Sequence, residues 1–262
     1  MPSNRAMLKS RPFVPAADRG DPTAIPGTGS HAAVLDDRPP GIRRNIIGSD
    51  DRQPANDASF PHWRMICHLV IQSRDGHRYT GTGWLAGPST VVTAGHNLLL
   101  DSIGHVAERV WVIPGRQGDD GHLGLFEVTS FAVHAHWKQG QQPGFDIGVI
   151  WLPEPVGGKL GYFGFASLAD GALANAPVLT AGYPDDKAFG TQWVTQSRVN
   201  AVFPHTLRYG LDTVHGQSGS PVFAVGSAGP VAVATHVYGA PQANEGVRLS
   251  PDIVETLTHW WR

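Results

Sequence analysis

Turn signals cut this chain into short pieces before any apolar run grows long. Asp75-Gly76, Gly87-Pro88 and Gly239-Ala240-Pro241 each stand between apolar segments of a few residues, and the 262 positions hold 32 glycines and 21 prolines. Glycine supplies the positive φ of tight turns and proline a preset one, so such dense punctuation favours antiparallel β-structure over helices. The length suits one large all-β unit or two small domains, with ample material for a core. Candidate strands fall near 64–71, 78–86, 89–94, 108–113, 124–136, 147–152, 177–182, 193–202, 206–211, 221–225, 230–238 and 245–249. One helix is expected at the C-terminus, with Ser250 as its cap and Pro251 at its first position. Ile253, Val254, Leu257 and Trp261 share one face of it, which would dock.

Several classes of function are disfavoured by the same reading. The formal net charge is -2 with no basic stripe, so nothing points to nucleic acid. No stretch approaches the ~18 apolar residues of a membrane span. The N-terminus lacks the apolar core of a secretory signal, so no export signal is recognisable. Residues 1–45 are rich in Pro, Gly, Asp and Arg without periodicity, which predicts a disordered leader. The single cysteine, Cys67, cannot form an intramolecular disulfide and reads as a small buried hydrophobe. No metal and no cofactor are expected. His134-Ala135-His136 reads as alternate positions of a strand but lacks a third ligand, and Gly81-Thr82-Gly83 lacks the following helix of a phosphate loop.

The chemistry concentrates in Asp212-Thr213-Val214-His215-Gly216-Gln217-Ser218-Gly219-Ser220-Pro221, where Ser218 sits in a glycine-flanked turn just before the apolar run Val222-Phe223-Ala224-Val225. A hydroxyl is a poor nucleophile near neutral pH unless a base takes its proton and an acid orients that base. His96 lies at the rim of the strand that Thr90-Val91-Val92 begins, and Asp146 stands at the start of the apolar run from Ile147 to Leu152. The order along the chain is therefore His, Asp, Ser. An α/β-hydrolase elbow needs Ser, acid, His and a strand-to-helix turn, whereas here a strand follows and position 220 is serine.

The segments T-A-G-H, D-I-G-V-I and G-Q-S-G-S-P, in that order, resemble the chymotrypsin-like (trypsin-like) serine proteases. Within them the chain resembles the bacterial glutamyl endopeptidase (V8-like) branch, through D-T-x-x-G-Q-S-G-S-P and the opening Ile47-Gly48-Ser49-Asp50-Asp51-Arg52. The likeness runs from about Ile46 to the C-terminus. It implies an all-β fold of two six-stranded antiparallel β-barrels with a C-terminal helix, after a leader or propeptide over 1–45. The protease domain would span 46–262, with barrel one at about 60–155, barrel two at about 156–250 and the helix at about 251–262.

The resemblance also implies roles. Ser218 would attack the scissile carbonyl, His96 would act as base and then acid, and Asp146 would fix the tautomer of His96. The N–H groups of Gly216 and Ser218 would form the oxyanion hole. Thr213 and His236 match the residues that bind a substrate carboxylate in the glutamyl branch, implying cleavage after Glu or Asp. Asp212 leaves a second reading open, since trypsin-like enzymes carry there the aspartate that receives Lys or Arg. A third reading is a binding module that keeps the barrels without activity.

Many relatives hold a disulfide beside the catalytic histidine. The neighbour here is Asn97, so that turn is expected to be held by packing alone. Gln217 stands where digestive relatives carry an aspartate that pairs with a new N-terminal amine, so activation would differ. The glutamyl branch brings its mature N-terminus near the specificity pocket, and Arg43-Arg44-Asn45 resembles a processing junction. The family implies a secreted zymogen acting as a monomer on protein or peptide substrates.

Overall fold

The computed structural model describes residues 46–55, 61–100, 104–119, 123–227, 229–240 and 242–262. The expected leader and the Arg43-Arg44-Asn45 junction lie outside the described residues. Two barrel-like sheets, antiparallel in all but one short pairing, make up the fold with few helices, as the resemblance implied.

A two-residue strand, β1 (Gln53–Pro54), leads into the first sheet, which is built from β2 (Ile66–Ser73), β3 (Arg78–Leu85), β4 (Thr90–Thr93), β5 (Leu99–Leu100), β6 (His105–Pro114), β7 (Phe126–Val128), β8 (Phe131–Val133) and β9 (Gly148–Trp151). The strand order is β5-β6-β2-β3-β4-β9-β8, and β7 pairs with the far side of β6. Because β7 and β8 are nearly consecutive in the chain, their two pairings draw the edges of the sheet together.

After β9 come short helices α2 (Gly157–Leu160) and α3 (Asp170–Leu173), following α1 (Ala135–Gly140) in the first half. The second sheet contains β10 (Gly164–Phe165), β11 (Pro177–Gly182), β12 (Trp193–Val202), β13 (Thr206–Tyr209), β14 (Pro221–Gly226), β15 (Gly229–Ala240) and β16 (Ala243–Arg248), joined by β1 at one edge. Its order β12-β11-β14-β15-β16-β13 is closed by a β12–β13 pairing, so six antiparallel strands form a ring with no free edge. Helix α4 (Pro251–Trp260) follows.

One apolar cluster runs through both halves. It joins Ile66, Trp84 and Val91 of the first sheet to Phe223 and Val247 of the second and to Ile253 and Leu257 of α4. Each such side chain contributes about 1.5–3 kcal/mol on burial, so this cluster fastens the two sheets together, while a separate cluster that includes Val199, Leu207 and Val222 fills the second sheet by itself. Cys67 lies fully buried in this cluster, and burial pushes its thiol well above the usual range.

The structure departs from the sequence reading in three places. The expected strand over 124–136 is broken into β7 and β8, and His134 and Ala135 leave it to begin α1. His134 is the cap of that helix, its ring accepting from the His136 N–H at 3.2 Å, so the two histidines do not alternate along a strand. Ser250 occupies the cap position of α4, but its hydroxyl turns to the Asp252 carboxylate instead of a backbone N–H. Trp261 falls beyond the helix and is 46% exposed, while Trp260 packs against the core.

Candidate active site

Strand pairing explains how residues far apart in sequence meet here. β4 and β9 run antiparallel with Thr93 opposite Gly148, so the residues just past the end of β4 face those just before the start of β9. Past β4 the chain makes a short 3-10 turn, Gly95–Asn97, that carries His96. Before β9 another, Pro143–Phe145, delivers Asp146. The Asp146 carboxylate grips His96 twice: Oδ2 lies 2.6 Å from Nδ1, and Oδ1 accepts from the His96 backbone N–H at 2.7 Å. Asp146 is fully buried and His96 nearly so. A carboxylate on Nδ1 favours the tautomer with its proton there and leaves Nε2 as an acceptor. Among the described residues no group hydrogen-bonds His96 Nε2. The Tyr238 ring stacks on the imidazole with centroids 5.7 Å apart. Burial, and after it the Asp146 charge, hold the Tyr238 proton far above the ordinary tyrosine range.

Ser218 arrives from the second sheet, in the turn before β14. Gly216 and Gly219 flank it with φ of 88° and 90°, a region that L side chains rarely adopt. Space forbids a side chain as well: a Cβ on Gly216 would lie 2.4 Å from the Tyr183 carbonyl oxygen, and one on Gly219 2.0 Å from that of Thr82. Inside the turn the N–H groups of Gln217, Gly219 and Ser220 donate to the carbonyls of Val214, His236 and Gln217. No acceptor among the described residues takes the N–H groups of Gly216 and Ser218.

The serine turn is fastened to the histidine turn by residues of the first sheet. Thr82 N–H donates to Ser218 O at 2.9 Å, and the Thr82 hydroxyl donates to Gly216 O at 2.8 Å. The Asn97 amide donates to Ser218 O and to the Thr93 hydroxyl, both at 2.9 Å. The expectation that the histidine turn is held by packing alone is therefore corrected: an amide replaces the covalent staple with two buried hydrogen bonds. Thr82 also gains a role that reading Gly81-Thr82-Gly83 as an empty phosphate-loop pattern missed. A threonine between two glycines was its trace in the sequence, and its burial emerges only in the fold.

The proposed specificity residues are all buried. His236 lies on β15, whose backbone continues the ladder alongside the serine turn, His236 N–H donating to Ser220 O at 2.8 Å. His236 Nδ1 meets the Tyr209 hydroxyl at 2.9 Å. Burial, then the neighbouring His96, push the His236 pKa down to about 3, so the ring is neutral. Nothing in the sequence marks Tyr209, because its partner on β15 is 27 residues away and is reached only in the closed sheet. Thr213 is buried next to Asp212. Asp212 faces the N-terminal segment: Oδ1 accepts from Ile47 N–H at 2.7 Å and Oδ2 from Asp51 N–H at 3.1 Å. Burial raises its carboxyl above the ordinary range. Among the described residues no cluster of three or more His, Cys, Asp or Glu could hold a metal ion.

The family model described as Trypsin matches residues 51–253. The chain is 37% identical over 225 residues to a glutamyl endopeptidase of Bacillus licheniformis, covering 83% of this chain and 69% of that protein. It is 30% identical over 218 residues to a Bacillus subtilis protein named extracellular metalloprotease, covering 82% of this chain and 69% of the other. A solved structure of a Glu endopeptidase in complex with MPD superposes with a TM-score of 0.73 at 22% identity, over 82% of this chain and 99% of that one.

Proposed function

Since the chain belongs to the trypsin family of serine endopeptidases, we propose that it cuts peptide bonds through Ser218, His96 and Asp146, and that it does so after glutamate, with aspartate second. The observation that carries the first part is the double grip of Asp146 on His96, which leaves Nε2 free to accept a proton. On this reading Ser218 Oγ attacks the scissile carbonyl while Nε2 takes its proton. Asp146 stabilises the imidazolium, which then protonates the leaving amine. The second half returns water through the same base to hydrolyse the acyl-enzyme. The Gly216 and Ser218 N–H groups would receive the oxyanion, and one such donor contributes about 3–4 kcal/mol to transition-state binding.

Preference for an acidic side chain rests on three supports. A relative 37% identical to this chain is a glutamyl endopeptidase. His236 and Thr213 offer an imidazole and a hydroxyl, the donors a buried carboxylate needs. Both oxygens of Asp212 already accept N–H groups from Ile47 and Asp51, which disfavours it as a receptor for Lys or Arg. A carboxylate arriving beside His236 would favour the charged imidazole and convert the contact into a charge-assisted hydrogen bond.

Peptides differing only in Glu, Gln or Lys before the scissile bond test both parts, with Ser218→Ala as control. The reading requires cleavage after Glu that vanishes in the control. Cleavage after Lys would return the pocket to Asp212, and absence of cleavage together with no labelling by a fluorophosphonate would leave a protease-fold binding module.

A further inference from the structure

The segment before β1 holds a side chain that the catalytic reading does not use. Arg52 is buried, its side chain fully so, and each of its five N–H donors has an acceptor. Nε and an Nη2 proton reach the two oxygens of Asp50, each at 2.8 Å. The other Nη2 proton and one on Nη1 reach the two oxygens of Asp186, at 2.7 and 3.0 Å. The fifth, on Nη1, points to Gln217 Oε1 at 3.4 Å. That same oxygen accepts the Val214 N–H at 3.0 Å. Gln217 is fully buried and immediately precedes Ser218.

The guanidinium thus joins three pieces of chain: its own segment, the loop carrying Asp186, and the turn that aims the nucleophile. Around it, Lys187 holds Asp50 at 3.0 Å, the Thr195 hydroxyl holds Asp51 at 2.7 Å, and Asp212 accepts from the segment's backbone. Only a planar fork with five donors can satisfy this set, which a lysine ammonium cannot.

We propose that Arg52 is a positioning residue for the oxyanion turn. Resting on the endopeptidase reading above, the inference is that docking of residues 47–52 completes the site: the guanidinium fixes the Gln217 side chain, Gln217 closes the turn onto Val214, and the N–H groups of Gly216 and Ser218 are left facing the substrate. A turn held in this way stabilises the transition state more than the bound substrate.

Three variants test it: Arg52→Gln, Arg52→Lys and Gln217→Leu, the last leaving the Arg52 carboxylate pairs intact should loss of Arg52 unfold the chain. The expected result is a fall in kcat of at least thirtyfold for Arg52→Gln and Gln217→Leu with KM within about threefold, and no better than a tenth of wild-type kcat for Arg52→Lys. Hydrogen exchange of the peptide spanning 212–220 should quicken at least tenfold in the first two variants while β11 and β14 keep their protection. Wild-type kcat in the lysine variant, a loss confined to KM, or unchanged exchange over 212–220 overturns the proposal. Exchange reads the turn without any substrate. A wild-type chain that neither cleaves nor labels would therefore count against the endopeptidase reading alone, while the exchange result still decides the role of Arg52.

Discussion

The Asn97 amide donates to the carbonyl oxygen of Ser218 at 2.9 Å, linking the turn that carries the proposed base to the residue proposed as nucleophile. Ser218 O also accepts from Thr82 N–H, so it keeps one partner when Asn97 is lost. Asn97→Ala should therefore lower kcat/KM about tenfold to a hundredfold without abolishing activity. Losing buried hydrogen bonds costs about 1–3 kcal/mol, and at roughly 2–4 °C per kcal/mol for a domain of this size the melting temperature should drop by several degrees. Steady-state kinetics and calorimetry of the variant check both.

Gly216→Ala meets two obstacles at once, a φ of 88° and a carbonyl oxygen 2.4 Å from the new Cβ. Relief requires the turn to rotate, which re-aims its N–H. Loss of one oxyanion donor typically costs 10²–10³ in kcat, so a fall of about that size is expected with KM little changed. Unaltered kcat would remove Gly216 from the oxyanion site.

Tyr209→Phe should report on the pocket. The hydroxyl is the partner of His236 Nδ1 at 2.9 Å, and without it the imidazole loses its orientation. Cleavage after Glu should fall about five- to twentyfold, cleavage after Gln should fall less, and fluorophosphonate labelling of Ser218 should stay unchanged. Equal losses on both peptides would detach His236 from carboxylate recognition.

Acid should destabilise the fold through its buried histidines. Burial, then His96, lower His236 to about 3, and burial, then the Arg116 charge, lower His68 well below its ordinary value. Both are neutral when folded but protonate near pH 6.5 once unfolded. Their contribution is therefore fully present above pH 6.5 and is lost as pH falls below it toward the folded values. With about one proton taken up by each of these two rings on unfolding at pH 5, the pair should contribute a fall of roughly 3 kcal/mol per pH unit there, and His105, also lowered by burial, adds to it in the same direction. Urea midpoints between pH 7 and 4.5 measure this, and His68→Gln should flatten the slope.

Strands were legible wherever an apolar run ended in turn residues, because register and burial follow from alternation within the run itself. The His, Asp, Ser order was legible for a similar reason: each residue sits in a turn beside a strand end, which glycine and proline mark in the sequence. What sequence could not disclose were contacts set by docking. Asn97 reads as a substituted cysteine position, yet its partner lies 121 residues away. Arg52 reads as part of a motif, and Gln217, 165 residues on, becomes its acceptor only once the second sheet has closed. His134 misled for a local reason, since its ring caps α1 where the alternating pattern suggested more strand.

Thr82 binds the backbone on both sides of Gln217, through its own N–H and hydroxyl, and it does so from the opposite sheet. On the proposed reading, a newly made chain whose sheets have formed but not yet come together holds a serine without its base and a base without its serine. An activity that rests on this pair therefore requires both sheets to be docked, since each half by itself carries only one member of it.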